Sequence, residues 1–139
     1  MKQQIIDAVE KVIKKYGTSN PRVIAEKMGV IVNYCSLGDT IGFTMHNRRQ
    51  RFININSDSL EPDQEFGLSH ELGHIILHND LNTPFYKKNV PINQLTQKER
   101  EANEFAIYLS IRRYEDEHGE IETQYKNLGI PDEMLVYLQ

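Results

Sequence analysis

The residues best suited to chemistry are His70-Glu71-Leu72-Gly73-His74, an H-E-x-x-H arrangement. Four residues of α-helix turn through about 400°, so His70 and His74 would lie ~40° apart, one turn above the other. Two imidazoles so placed can share one tetrahedral Zn²⁺ at ~2.0–2.1 Å. Glu71 is rotated about 100° from His70, too far round to be an easy third ligand. It can instead reach a water on the metal, whose pKa zinc lowers to roughly 7, and take its proton. Given the chain's own composition, such a motif arises by chance with a probability of roughly 2%. The bland alternative is a surface helix carrying two histidines. The apolar neighbours Leu68, Leu72, Ile75 and Ile76 favour a ligand pair between core and cleft.

A catalytic zinc needs a third protein ligand and an open fourth position. In a metzincin the ligand would fall at Asp80, with glycine where this chain has Leu77. Without that glycine the helix continues and the metzincin reading fails. His78 follows His74 by four residues, but ~6 Å of rise per four residues keeps three such histidines off one ion. It reads as a polar helix end or as a donor to a ligand. An acid from the next helix remains, as in gluzincins, with Glu99, Glu101 and Glu104 as candidates. Glu104 points away from the apolar stripe, whereas Glu99 and Glu101 flank it on opposite sides, and helix arithmetic does not choose between them.

The positioning elements are legible as patterns. Ile5, Val9, Val12, Ile13 and Tyr16 repeat at helical spacing over residues 2–16. Asn20-Pro21 opens a short helix that Gly29 closes. Residues 30–35 read as a strand, and 41–46 and 51–56 as a β-hairpin about Asn47-Arg48-Arg49-Gln50. Together they predict a small antiparallel sheet of three strands. The motif helix should run from about Pro62 to His78, followed by a surface loop over 81–95. Thr96-x-x-Glu99 is a capping box opening the helix of Ala102, Phe105, Ala106 and Leu109. Residues 114–122 read as charged and solvated, and a last short helix as ending at Leu138. The expectation is one α+β domain over residues 1–139, gluzincin-like, with the motif helix packed on the acid-bearing helix.

Composition narrows the class further. The 139 residues carry a net charge of −4 and one cysteine, Cys35, which excludes an intrachain disulfide framework. No apolar run reaches the ~18 residues of a membrane span and no signal-peptide core follows Met1, so a cytoplasmic protein is expected. Charge is uneven, with 8 basic and 4 acidic residues over 1–50 but 1 basic and 6 acidic over 51–80. The acidic total is a poor match for a duplex-DNA binder. Residues 21–32 superficially suit a helix-turn-helix, but a β-type run stands where the recognition helix should be. The turn Arg48-Arg49-Gln50-Arg51 reads as a solvated hairpin tip, with a docking patch for an acidic substrate region as the sharper alternative.

Several motifs, in order and spacing, resemble the ImmA/IrrE family of metallopeptidases of phages, mobile elements and bacterial stress responses. They are Gly17-Thr18 with Asn20-Pro21, Gly42-Phe43, Arg51-Phe52-Ile53-Asn54-Ile55-Asn56-Ser57, His70-Glu71-Leu72-Gly73-His74, and Glu99-Arg100-Glu101-Ala102-Asn103-Glu104-Phe105-Ala106. Leu128-Gly129-Ile130-Pro131-Asp132-Glu133 resembles the family's closing segment. The resemblance implies a zinc endopeptidase with His70, His74 and Glu101 as ligands and Glu71 as general base. It also implies a helix-turn-helix repressor as substrate, cleaved to derepress a phage, mobile element or stress regulon. Two histidines and a carboxylate would also accept Mn²⁺ or Fe²⁺. Tyr86, Tyr108 and His46 are groups able to stabilise an oxyanion, though amphipathic packing is the simpler role for the two tyrosines. The competing function is a module that sequesters the repressor without cutting it. One departure from the family is Leu109-Ser110-Ile111-Arg112-Arg113, where a hydrophobic stretch is usual, so the helix end and any groove it lines should differ.

Overall fold

A computed structural model describes residues 2–119, together with Met134 and Tyr137. Two helices, α1 (Gln3–Tyr16) and α2 (Pro21–Lys27), precede strands β1 (Ile31–Cys35), β2 (Thr40–Asn47) and β3 (Gln50–Asn56). Helix α3 (Glu61–His78), the two-residue strand β4 (Tyr86–Lys87), a 3₁₀ turn at Ile92–Gln94 and helix α4 (Gln97–His118) follow. None of the helices among the described residues is long and apolar enough to cross a membrane. The expected last helix lies outside the described residues.

The sheet corrects the expectation of three antiparallel strands. It has four, ordered β1-β3-β2-β4, and β1 runs parallel to β3. The β2–β3 hairpin is antiparallel as expected. Strand β3 therefore lies between β1 and β2, and the link from Cys35 to Thr40 must step over it. Asn56 holds that link, accepting from Leu37 N and donating to the Gly38 carbonyl. Four residues of extended chain are long enough for the step, since strands lie ~4.8 Å apart. Strand β4 was hidden in the expected surface loop because two residues carry no period.

Helix α3 is buried continuously from Phe66 to Ile75, so it is a central helix and not a half-exposed one. Its glycines permit that. A Cβ at Gly67 would sit 2.7 Å from the Ile41 side chain of β2. One at Gly73 would meet Phe105 Cβ at 3.1 Å and Ala102 Cα at 3.2 Å on α4. The middle residues of the H-E-x-x-H motif are thus where α3 and α4 approach most tightly. The main core, built of Ile5, Val9, Ile24, Ile53, Ile55, Leu68, Leu72 and Phe105 among others, backs this contact from α1, α2 and the sheet. Each such aliphatic side chain contributes ~1.5–3 kcal/mol on burial.

Helix α4 extends through Tyr114 to His118, so the charged stretch begins as helix. Arg112 pairs with Glu10 of α1 and Arg113 with Glu65 of α3. The arginines that replace a hydrophobic stretch therefore staple α4 to its neighbours.

Candidate metal centre

The α3 spacing does what helix geometry requires: His70 Nε2 and His74 Nε2 lie 3.2 Å apart, in rings that are 0% and 1% exposed. One carboxylate spans them. Glu99 Oε2 is 3.1 Å from His70 Nε2 and Glu99 Oε1 is 2.8 Å from His74 Nε2. Ligand atoms of a tetrahedral zinc at ~2.0–2.1 Å stand about 3.3 Å from one another, so these three side chains fit one ion.

The structure brings Glu99, not Glu101, to the histidine pair. Two residues on, a helix has turned by ~200°, which carries Glu101 to the other side of the stripe. There its carboxylate lies 3.4 Å from His78 Nε2, accepts from Gln4 at 3.4 Å and faces Lys2 at 3.7 Å. The contact between α3 and α4 marks the Glu99 face. Ala102 packs on Gly73, Asn103 bonds His70, and Glu99 precedes them by three and four residues on the same face. The capping box masked this. Thr96 does cap α4 by accepting from Glu99 N at 3.2 Å, but the Glu99 side chain turns to the histidines.

Both rings are oriented from behind. His70 Nδ1 lies 2.7 Å from Asn103 Oδ1, and its ring stacks on Tyr86 at 4.1 Å and 15°. Asn103 Oδ1 accepts the Nδ1 proton, which leaves the Nε2 lone pair free for a metal. His74 Nδ1 lies 3.3 Å from Asp80 Oδ2, beyond the left-handed Asn79 that ends α3. The sequence offered Asp80 only as a metzincin ligand and Asn103 only within a family-like motif, and the role of each behind an imidazole emerges from the fold. Burial alone would pull the His74 imidazole down, but the Glu99 hydrogen bond and the charges of Glu71, Glu99 and Asp80 raise its pKa. Burial would push Glu99 up, yet its bonds to His70 and His74 hold it well below the usual carboxylate range.

Glu71 is fully buried. Its Oε1 accepts from Thr44 at 3.0 Å and from Thr83 at 2.6 Å. Thr83 N donates to the Thr44 carbonyl and Thr44 N donates to the Thr83 hydroxyl, so β2 and the loop after α3 grip the carboxylate together. Oε2 is buried without a hydrogen-bond partner among the described residues, 3.8 Å from His70 Nε2. A buried orphan of this kind costs ~1–3 kcal/mol or more unless a ligand satisfies it. The donor atoms of His70, Glu71 and His74 all lie within 4.8 Å of one another, and so do those of His74, His78 and Asp80.

The other expected groups are dispersed. The Tyr108 hydroxyl donates to Glu10 at the α1–α4 contact. His46 stands opposite Arg51 on the hairpin and lines a different cleft. His78 ends α3 between Asp80 and Glu101. Tyr86, on the His70 ring, is the tyrosine that the fold brings to the centre.

Comparison with known proteins gives the family. Residues 25–129 match the Peptidase_M78 family, the IrrE N-terminal-like domain. The chain is 38% identical over 121 residues to "Uncharacterized immunity region protein 2" of Bacillus phage phi105, covering 86% of this chain and 72% of that protein. It is 36% identical over 77 residues to "Metallopeptidase ImmA" of Bacillus subtilis strain 168, covering 54% of this chain and 44% of ImmA. With most of its length matched, this chain belongs to the ImmA/IrrE family of metallopeptidases.

Proposed function

We propose that this protein is a zinc-dependent endopeptidase that cleaves a helix-turn-helix repressor and so relieves repression of a phage or mobile element. The observation that carries the reading is Glu71. A purely structural metal site has no use for a buried carboxylate with one oxygen clamped and the other unpartnered beside the histidines. The similarity to a phage immunity-region protein and to ImmA supports the substrate class.

In this reading His70, His74 and Glu99 hold the metal, which supplies Lewis acidity and an acidified water. A set of two histidines and one glutamate suits zinc and also accepts Mn²⁺ or Fe²⁺. Asn103 and Asp80 fix the two imidazoles so that their Nε2 atoms converge. Glu71 takes the proton of the attacking water on Oε2 and returns it to the leaving amine, a role worth typically ~10²–10⁴-fold. Thr44 and Thr83 keep that oxygen in position by occupying the other.

Incubation of the zinc-loaded protein with helix-turn-helix repressors from its own genome tests the reading. Two repressor fragments are expected, and none with Glu71→Gln. A stable stoichiometric complex without fragments would instead establish sequestration.

A further inference from the structure

The β2–β3 hairpin gathers positive charge that the metal centre does not use. Among the described residues, Arg48, Arg49 and Arg51 have no carboxylate within 4.0 Å, whereas Arg22, Arg112 and Arg113 each pair with a glutamate and Arg100 donates to the Ile92 carbonyl. Arg49, Arg51 and His46 line a cleft of about 260 Å³ together with the apolar side chains of Met28, Val30 and Leu81. No acidic side chain among the described residues lines it.

The cleft is braced. Gln50 Nε2 donates to the Gly29 carbonyl at 2.7 Å, tying the hairpin to the turn before β1. Arg51 Nη2 donates to Asn79 Oδ1 at 2.6 Å, while its Nε–H is buried with no acceptor among the described residues. Asn79 is the cap of α3, and the next residue, Asp80, is the partner of His74. The cleft therefore adjoins the same helix end that orients a metal-site imidazole.

We propose that this cleft is a recognition site for an acidic side chain in a partly apolar polypeptide segment of the substrate. This deepens the peptidase reading and rests on it. Guanidinium groups without an internal carboxylate suit an acidic side chain, and Met28, Val30 and Leu81 suit the apolar residues beside it. The cleft is too small to seat a nucleic-acid duplex, and a chain of net charge −4 lacks the extended basic face that duplex binding needs.

The test is an amide-shift titration of the full chain with acetyl-Leu-Glu-Glu-Leu-amide, with its Glu→Gln analogue, with inorganic phosphate and with a short DNA duplex. The acidic peptide should shift the amides of His46, Gln50, Arg51 and Leu81, and bind at least ~10-fold tighter than the glutamine analogue. Its affinity should fall as salt rises. Arg51→Gln and Arg49→Gly should each weaken it by about 5-fold or more. Arg49 sits at φ +65°, which glycine adopts freely, so that variant keeps the hairpin. Equal binding of the two peptides, unchanged affinity in both variants, or preference for phosphate or the duplex would overturn the proposal. The titration reads binding and not hydrolysis. A chain that cuts the repressor but ignores the peptide refutes the cleft alone, and one that binds the peptide but cuts nothing refutes the peptidase reading alone.

Discussion

Two turns of α3 carry histidine facing acid on α4, and they are built differently. In the inner turn His70 and His74 are almost wholly buried, their Nε2 atoms converge, and Glu99 spans both. In the outer turn the His78 side chain is 9% exposed, its Nε2 is 3.4 Å from Glu101, and Glu101 is shared with Lys2 and Gln4. The electrostatics diverge accordingly. Burial lowers both imidazoles, but the carboxylates around His74 reverse the effect and raise it, whereas His78 stays lowered, with His74 adding to its burial. The two turns thus offer a metal different donor sets, and the inner one is the centre proposed above. Convergence of Nε2 atoms and partners behind each ring make the difference.

Substitutions should separate the turns by size of effect. His74→Ala should abolish stoichiometric zinc binding by mass spectrometry of the folded protein, since it removes a ligand outright. Glu71→Gln should keep the metal and lower repressor cleavage by ~10²–10⁴-fold in a timed gel assay. Asp80→Ala and Asn103→Ala should each weaken zinc affinity about 10–100-fold in a chelator competition, because each frees an imidazole. His78→Ala should change that affinity by less than about 3-fold, because its Nε2 faces Glu101 and its Nδ1 lies behind the His74 ring, beside His74 Nδ1 and Asp80, away from the converging Nε2 atoms. A large zinc loss in His78→Ala would erase the distinction between the turns.

The sequence exposed what is periodic and local. The H-E-x-x-H spacing, the hairpin, the Asn20 and Thr96 caps and the amphipathic α1 all follow from nearest-neighbour chemistry and appear where expected. What depends on tertiary packing did not show. The parallel β1–β3 pairing needs a link braced by Asn56, a residue from another strand. The two residues of β4 carry no pattern, yet they bring Tyr86 onto His70. Thr83 lay in a stretch read as surface loop, although its hydroxyl holds Glu71. The choice between Glu99 and Glu101 turned on which face of α4 meets Gly73, a contact between helices and not a feature of either one.

That choice is the centre of the account, and zinc content of Glu99→Gln and Glu101→Gln tests it most directly. With both variants folded by circular dichroism and equilibrated with one equivalent of zinc, Glu101→Gln should retain one ion per chain and Glu99→Gln should lose it on dialysis. Full retention in Glu99→Gln with loss in Glu101→Gln would contradict the assignment of the inner turn as the metal centre's third side.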